Sequence, residues 1–232
     1  MQVQEAIILA GGLGTRLRDA VPGLPKCMAP VNNKPFIYYV VTHLQKQGIR
    51  RFIFSLGYRS EAFTNYIAEL LPDGNYELVI EKEPLGTGGA IRLACTYVHH
   101  PNVVVVNGDS IFKTNIAEQE RIHTEKNAHC TLALKPMENF DRYGVVELNA
   151  DQSIASFKEK QHYAKGLING GVYMLNAPLF LQEGLPEKFS FETDYLQAFY
   201  NTRRIFGVIQ DSYFIDIGIP EDYRRAQIEL TD

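Results

Sequence analysis

The sequence predicts an α/β fold: a mostly parallel, twisted sheet with helices on both faces and an antiparallel extension. Three observations predict it. Short apolar runs at 7–9, 51–56, 76–80 and 103–106 alternate with segments of helical period, the rhythm of right-handed βαβ units. The run 103–106 is valine throughout, as a strand covered on both faces requires. After residue 128 the rhythm changes to strands separated by short turns.

The elements follow in order. Residues 36–48 carry apolar positions at helical spacing and end in Gly48, so they form a helix. Helices are likewise expected at 61–71, 87–98 and 115–126, the last capped by Asn115 with Glu118 three residues on. Strands at 130–135, 145–148, 154–158 and 166–175 form the antiparallel extension toward the sheet's far edge. A helix at 191–201, strands at 205–209 and 213–217, and a closing helix at 221–230 complete the chain. Pro220 suits the first position of that last helix, with Glu221 and Asp222 beside its positive end. No linker, repeat or low-complexity tract divides residues 1–232, which reads as a single domain.

Composition narrows the function. A net charge of −4 argues against a broad nucleic-acid surface. Cys27, Cys95 and Cys130 are far apart, which suits a reducing compartment and no zinc site. No run approaches membrane-spanning length and no signal pattern opens the chain, so a cytoplasmic protein without a membrane partner is expected. A homo-oligomer stays open.

The informative stretch is the end of the first strand, Leu9 and Ala10, followed by Gly11, Gly12, Gly14, Thr15 and Arg16. Glycines free to take positive φ let successive N–H groups turn toward one anion, and Arg16 adds a fork of donors for phosphate. A P-loop is excluded because no Gly-Lys-Ser/Thr follows, and a dinucleotide fingerprint because Leu17 stands where its third glycine belongs. Lys26 after Pro25 tilts the loop further toward phosphate. Two strand-end aspartates, Asp109 after Gly108 and Asp216 two residues before Gly218, suit Mg²⁺, which favours one or two carboxylates plus substrate phosphate oxygens. Ligands of open α/β sheets sit outside the carboxyl ends of the strands, where these loops emerge.

Gly11-Gly-Leu-Gly-Thr-Arg-Leu17, Pro25-Lys26, Lys34-Pro35, Gly108-Asp109 and Asp216-x-Gly218 with Pro220-Glu-Asp-Tyr223 resemble the motifs of the sugar-1-phosphate nucleotidyltransferases. The resemblance implies the Rossmann-like nucleotide-diphospho-sugar transferase fold, Arg16 and Lys26 on the triphosphate, and a metal at Asp109 and Asp216. It departs at 18–21, where the family often carries proline and threonine. It also implies that Glu81, Pro84, Gly86, Thr87 and Gly88 lie against the nucleobase, with Asp109 among the nucleotide contacts. Glu81 only accepts hydrogen bonds; guanine offers it two adjacent donors and uracil or thymine one, which favours GTP and leaves UTP and dTTP open.

The sugar 1-phosphate is assigned by the same resemblance to Gly144, Glu159, Lys160, Asn169 and Gly170, within a part at about 129–201; about 1–128 and 202–232 form the nucleotide and metal core. Stretches 81–90, 140–144, 166–171, 188–192 and 211–218 are similar in particular to D-glycero-α-D-manno-heptose 1-phosphate guanylyltransferases. Mannose 1-phosphate with GTP, and N-acetylmuramate or hexosamine 1-phosphate with UTP, are the other substrate pairs. A reading of another class is a non-catalytic nucleotide-sugar sensor on the same fold. A sugar phosphate is already anionic near neutral pH, with a second pKa near ~6, so no general base is required. Arg16, Lys26, Asp109 and Lys160 are the expected catalytic residues, acting by position and charge.

Overall fold

The computed structural model describes residues 2–11, 24–57 and 60–231, without the side chains of 61 and 62. Gly12, Gly14, Thr15 and Arg16 lie outside the described residues.

Strands β1 (Glu5–Leu9), β4 (Arg51–Leu56), β5 (Tyr76–Ile80) and β6 (Asn102–Asn107) run parallel in the order β6-β1-β4-β5. Between β1 and β4 lie a 3₁₀ turn, Lys26–Met28, and a small hairpin of β2 (Pro30–Val31) and β3 (Lys34–Pro35). Its turn residues Asn32 and Asn33 both take positive φ, 47° and 65°, the conformation of a two-residue hairpin turn. The paired asparagines are the sequence signal for it.

Helix α1 (Phe36–Lys46) ends as expected at Gly48, whose φ of 94° stops it in the left-handed region. Helices α2 (Glu61–Leu70) and α3 (Gly86–Cys95) lead out of β4 and β5. After β6 comes β7 (Ser110–Phe112), too short to be read from the sequence, then α4 (Ile116–Glu125). Asn115 caps α4 by accepting from the Glu118 N–H, 3.1 Å. The reciprocal half of a capping box does not form, because Gln210 takes the Asn115 N–H at 2.6 Å.

The antiparallel extension consists of β8 (Cys130–Phe140), β9 (Val145–Leu148), β10 (Ile154–Lys158) and β11 (Tyr163–Asn176). Strands β8 and β11 are longer than expected. Pro136 faces Leu167 in the β8–β11 ladder, past the stretch 130–134 where the later strand Ile205–Ile209 also pairs with β8. β11 pairs antiparallel with β6, so the extension joins the parallel sheet directly. Helix α5 (Ala177–Leu181), a π-helix at Phe191–Gln197 where an ordinary helix was expected, β12 (Ile205–Ile209), β13 (Phe214–Asp216) and α6 (Pro220–Glu229) follow.

The strands divide their side chains by parity. Ala6, Ile8, Phe52, Phe54, Val104 and Val106 face one layer with α1, α2 and α6. Ile7, Ile53, Val103 and Val105 face the other, with α3, α5 and the π-helix. A continuous apolar strand between two helical layers is what such burial demands. At the amino end of β1, Glu5 is buried and accepts from Arg51 Nη1 (2.7 Å) and from the His99 and His100 N–H groups. A buried charge with several charge-assisted donors is satisfied, not stranded.

Burial holds two histidines well below their usual pKa of about 6.5, His43 and His123 both to about 4, with nearby Lys113 and His129 respectively adding to the effect. Unfolding returns them to the ordinary range, so between those values the unfolded chain binds more protons. Stability from these groups is complete above pH ~6.5 and is lost toward pH ~4. We predict that His123→Gln makes this decline shallower, by up to ~1.4 kcal/mol per pH unit, in urea titrations across the window. An unchanged slope would contradict the neutral buried state of His123.

Candidate active site

All four parallel strands end at one edge, and their loops converge there. Beyond β1, Ala10 N–H donates to Ser55 O (2.9 Å) and Gly108 N–H to Leu9 O (2.8 Å). A side chain at Gly108 would put its Cβ 2.8 Å from Leu9 O, so only glycine lets the corner before Asp109 press onto β1. Glu81 leaves β5 through an N–H bond to Leu56 O, 2.8 Å.

Asp109 and Asp216 meet through the pairing of β7 with β13. Asp216 faces Ser110 in that ladder, and Ile217 N–H donates to Asp109 O, 3.1 Å. Lys26, delivered by the 3₁₀ turn, places its ammonium between the two carboxylates, 2.6 Å from Asp109 Oδ2 and 3.1 Å from Asp216 Oδ1. Gly218 N–H also donates to Asp216 Oδ1, 2.8 Å. A Cβ at 218 would stand 2.9 Å from Asp216 Oδ1 and 3.1 Å from Lys26 Nζ, which explains the glycine two residues after the aspartate.

The sequence reading missed the second half of this network. Arg142 pairs with Asp222 and lies 3.7 Å from Asp216 Oδ2, while Arg225 holds the other oxygen of Asp222 at 2.8 Å. Three cations (Lys26, Arg142, Arg225) thus link Asp109, Asp216 and Asp222, and Arg225 also pairs with Glu229 at 3.1 Å. Asp222 was read as a charge at the start of a helix; its position gave no hint of a partner 80 residues away. Tyr143 packs edge-on against Phe214, and burial and the charge of Asp216 push its phenol up to about 12. Behind Lys26, burial and Asp109 raise the Cys27 thiol far above its usual range, so it is an inert neutral group.

The donor set fits a divalent cation. Asp109 and Asp216 bring hard carboxylate oxygens from two strands, still 40% and 25% exposed at their side chains, and such a pair suits Mg²⁺ when phosphate oxygens complete the shell. Among the described residues no third carboxylate, histidine or cysteine joins them.

The neighbouring loop holds Glu81, whose Oε2 accepts from Leu85 N–H (2.9 Å) and whose Oε1 lies toward Gly11. Pro84 and Thr87 are exposed there. Gly86 and Gly88 lie under Phe189: Gly88 N–H donates to Phe189 O (3.0 Å), and a Cβ at Gly88 would fall 2.1 Å from its ring. Thr87 Oγ1 accepts from Phe191 N–H, 2.9 Å.

On the extension, Gly144 lies against Lys158 O, with no room for a Cβ. Glu159 and Lys160 are exposed, and Tyr163 OH donates to Glu159 O (3.0 Å) to fix the turn. Asn169 donates to Tyr173 OH (2.9 Å) and Glu192 Oε1 (3.2 Å) and accepts from Gly171 N–H (3.1 Å). Gly170 sits on the Phe112 ring, and Gly171 beside the Asn107 amide, so this bend of β11 adjoins the corner that carries Asp109.

The nucleotidyl transferase family profile matches residues 5–232. The chain belongs to that family. It is 49% identical over 226 residues to a D-glycero-α-D-manno-heptose 1-phosphate guanylyltransferase of Aneurinibacillus thermoaerophilus, covering 97% of this chain and 98% of that protein. A protein of the same name from Campylobacter jejuni is 43% identical, covering 94% and 96%. The crystal structure of HddC from Yersinia pseudotuberculosis complexed with GMP-PN superposes with a TM-score of 0.87 at 34% identity, covering 99% of this chain and all of that one. Among the described residues no helix is long and apolar enough to cross a membrane.

In this family member, Asp216→Asn should lower kcat for nucleotidyl transfer by ~10²–10³, the usual cost of one preorganised charge, with little change in unfolding midpoint because the carboxylate is partly exposed. A variant with unaltered kcat would remove Asp216 from the site.

Proposed function

We propose that this chain transfers a guanylyl group from GTP to D-glycero-α-D-manno-heptose 1-phosphate, giving a GDP-sugar and pyrophosphate. The observation that carries the reaction type is the convergence of Asp109, Asp216 and Lys26 at the carboxyl edge of the sheet. The substrate pair is supported by relatives 49% and 43% identical over nearly full length that bear this activity in their names, and by the GMP-PN complex of HddC.

Asp109 and Asp216 would hold Mg²⁺, which when bound supplies positive charge to the triphosphate oxygens. Lys26 neutralises phosphate charge from the same point, and Arg16 does so from the glycine loop with Leu9, Ala10, Gly11, Gly12, Gly14 and Thr15. Glu81, with lone pairs left on the carboxylate oxygen nearest Gly11, accepts from the base edge; Pro84 and the first turn of α3, with Gly86, Thr87 and Gly88, surround it. Residues 129–201 hold the sugar phosphate: Lys160 on its phosphate, Glu159, Asn169, Gly170 and the Gly144 backbone on its hydroxyls. Residues 1–128 and 202–232 form the nucleotide and metal core. The phosphate of the sugar, already an anion, attacks the α-phosphorus in line, and pyrophosphate leaves on the charged side. The enzyme would act in the cytoplasm.

Pyrophosphate release should be measured for GTP, UTP, dTTP, ATP and CTP against manno-heptose, mannose and hexosamine 1-phosphates, with and without Mg²⁺. The pair GTP with the heptose phosphate should give the highest kcat/KM, and chelation of the metal should abolish it. A preference for UTP or dTTP would overturn the base assignment, and nucleotide binding without pyrophosphate from any pair would point to a sensor.

A further inference from the structure

Glu192 is held in an unusual way for an exposed side chain. It opens the π-helix Phe191–Gln197, a wide turn of the kind that often marks functional sites. The backbone around it is pinned from three sides. Phe191 N–H donates to Thr87 Oγ1 (2.9 Å), Ser190 N–H to Asp194 Oδ2 (2.7 Å), and Thr193 N–H to Ser190 Oγ (3.3 Å). The preceding side chain, Phe191, is buried against Tyr173 and Tyr195. The carboxylate is therefore exposed but carried on a fixed stem.

Its partners are Asn169 and the neighbouring Tyr173 hydroxyl. One N–H of the Asn169 amide is committed to the buried Tyr173 hydroxyl at 2.9 Å, and its oxygen accepts from Gly171 N–H at 3.1 Å. The other N–H reaches Glu192 Oε1 at 3.2 Å, the longest and most exposed bond of the three. Asn169 thus has no spare donor, and a ligand that takes one must displace Glu192. A hydroxyl can do so without loss, since it accepts from the amide and donates to the carboxylate at once. A hydrogen or methyl in its place offers neither bond, so the pair either stays closed on itself or is parted without replacement. The pair stands on the bend of β11 whose next two residues touch Phe112 and Asn107, either side of Asp109.

Resting on the transfer to a sugar 1-phosphate proposed above, we infer that Glu192 is a specificity-determining residue that, with Asn169, reads one hydroxyl of the sugar. Thr87, on the loop assigned to the base, holds the backbone of the same turn, so the two substrates are gripped from one shared element.

The test compares wild type, E192A and E192Q on the heptose 1-phosphate and its mono-deoxy analogues, reading pyrophosphate. On the parent sugar, E192A should lose ~10–100-fold in kcat/KM, the scale of a hydrogen bond to a charged group, with the KM for GTP unchanged. E192Q keeps an acceptor and should recover part of the loss; it also carries the test should E192A fold poorly. With one deoxy analogue the wild type should suffer a similar loss, and E192A should add none. An equal penalty on every analogue, a shifted KM for GTP, or full activity of E192A would overturn the inference. No pyrophosphate from the wild type with any sugar phosphate would overturn the underlying reading, and this one with it.

Discussion

The site depends on one constraint: two carboxylates more than a hundred residues apart must share a cation, and here that cation is the ammonium of Lys26. Opposite charge between them offsets the repulsion of two carboxylates held this close. Three local devices deliver the arrangement. The short β7–β13 ladder sets Asp216 beside Ser110. Gly108 lets the Asp109 corner rest on the end of β1, and Gly218 leaves room for the ammonium. Around them Arg142, Asp222 and Arg225 extend a network of alternating charge. Because Arg142 lies between β8 and β9 and Asp222 on α6, the network also ties the antiparallel extension to the last helix.

The glycines of the loop after β5 serve packing as much as access. Residues 185–189 lie across the start of α3, with Arg92 donating to Leu185 O (2.8 Å) and facing the Phe189 ring. The same contact continues through Thr87 into the π-helix and on to Asn169. A physical path therefore runs from the loop that carries Glu81 to the bend of β11, built from hydrogen bonds with defined partners.

Much of the frame was legible because it is written in short-range pattern. The strands at 51–56, 76–80, 145–148, 154–158 and 205–209 have the bounds that the apolar runs indicate. Asn115 caps its helix and Pro220 starts the last one. What escaped was written in long-range contact. Three residues after Asp109 form β7 only because β13 lies beside them. The wide turn at 191–197, held at its start by Ser190 and Thr87, has a spacing that no helical period reports. Asp109, Lys26 and Asp216 could be named from their motifs, but Arg142, Asp222 and Glu192 owe their places to partners 80, 80 and 23 residues away. From the sequence Asp222 is expected only beside a helix end, and Arg142 and Glu192 only as members of motif-like stretches.

The central claim is that Asp109 and Asp216 act as one site. The most direct measurement is anomalous diffraction from crystals grown with Mn²⁺ and a non-hydrolysable GTP analogue. The account predicts one peak within bonding distance of both carboxylates and of a phosphate oxygen. A peak held by only one of the two aspartates, or by neither, would contradict it.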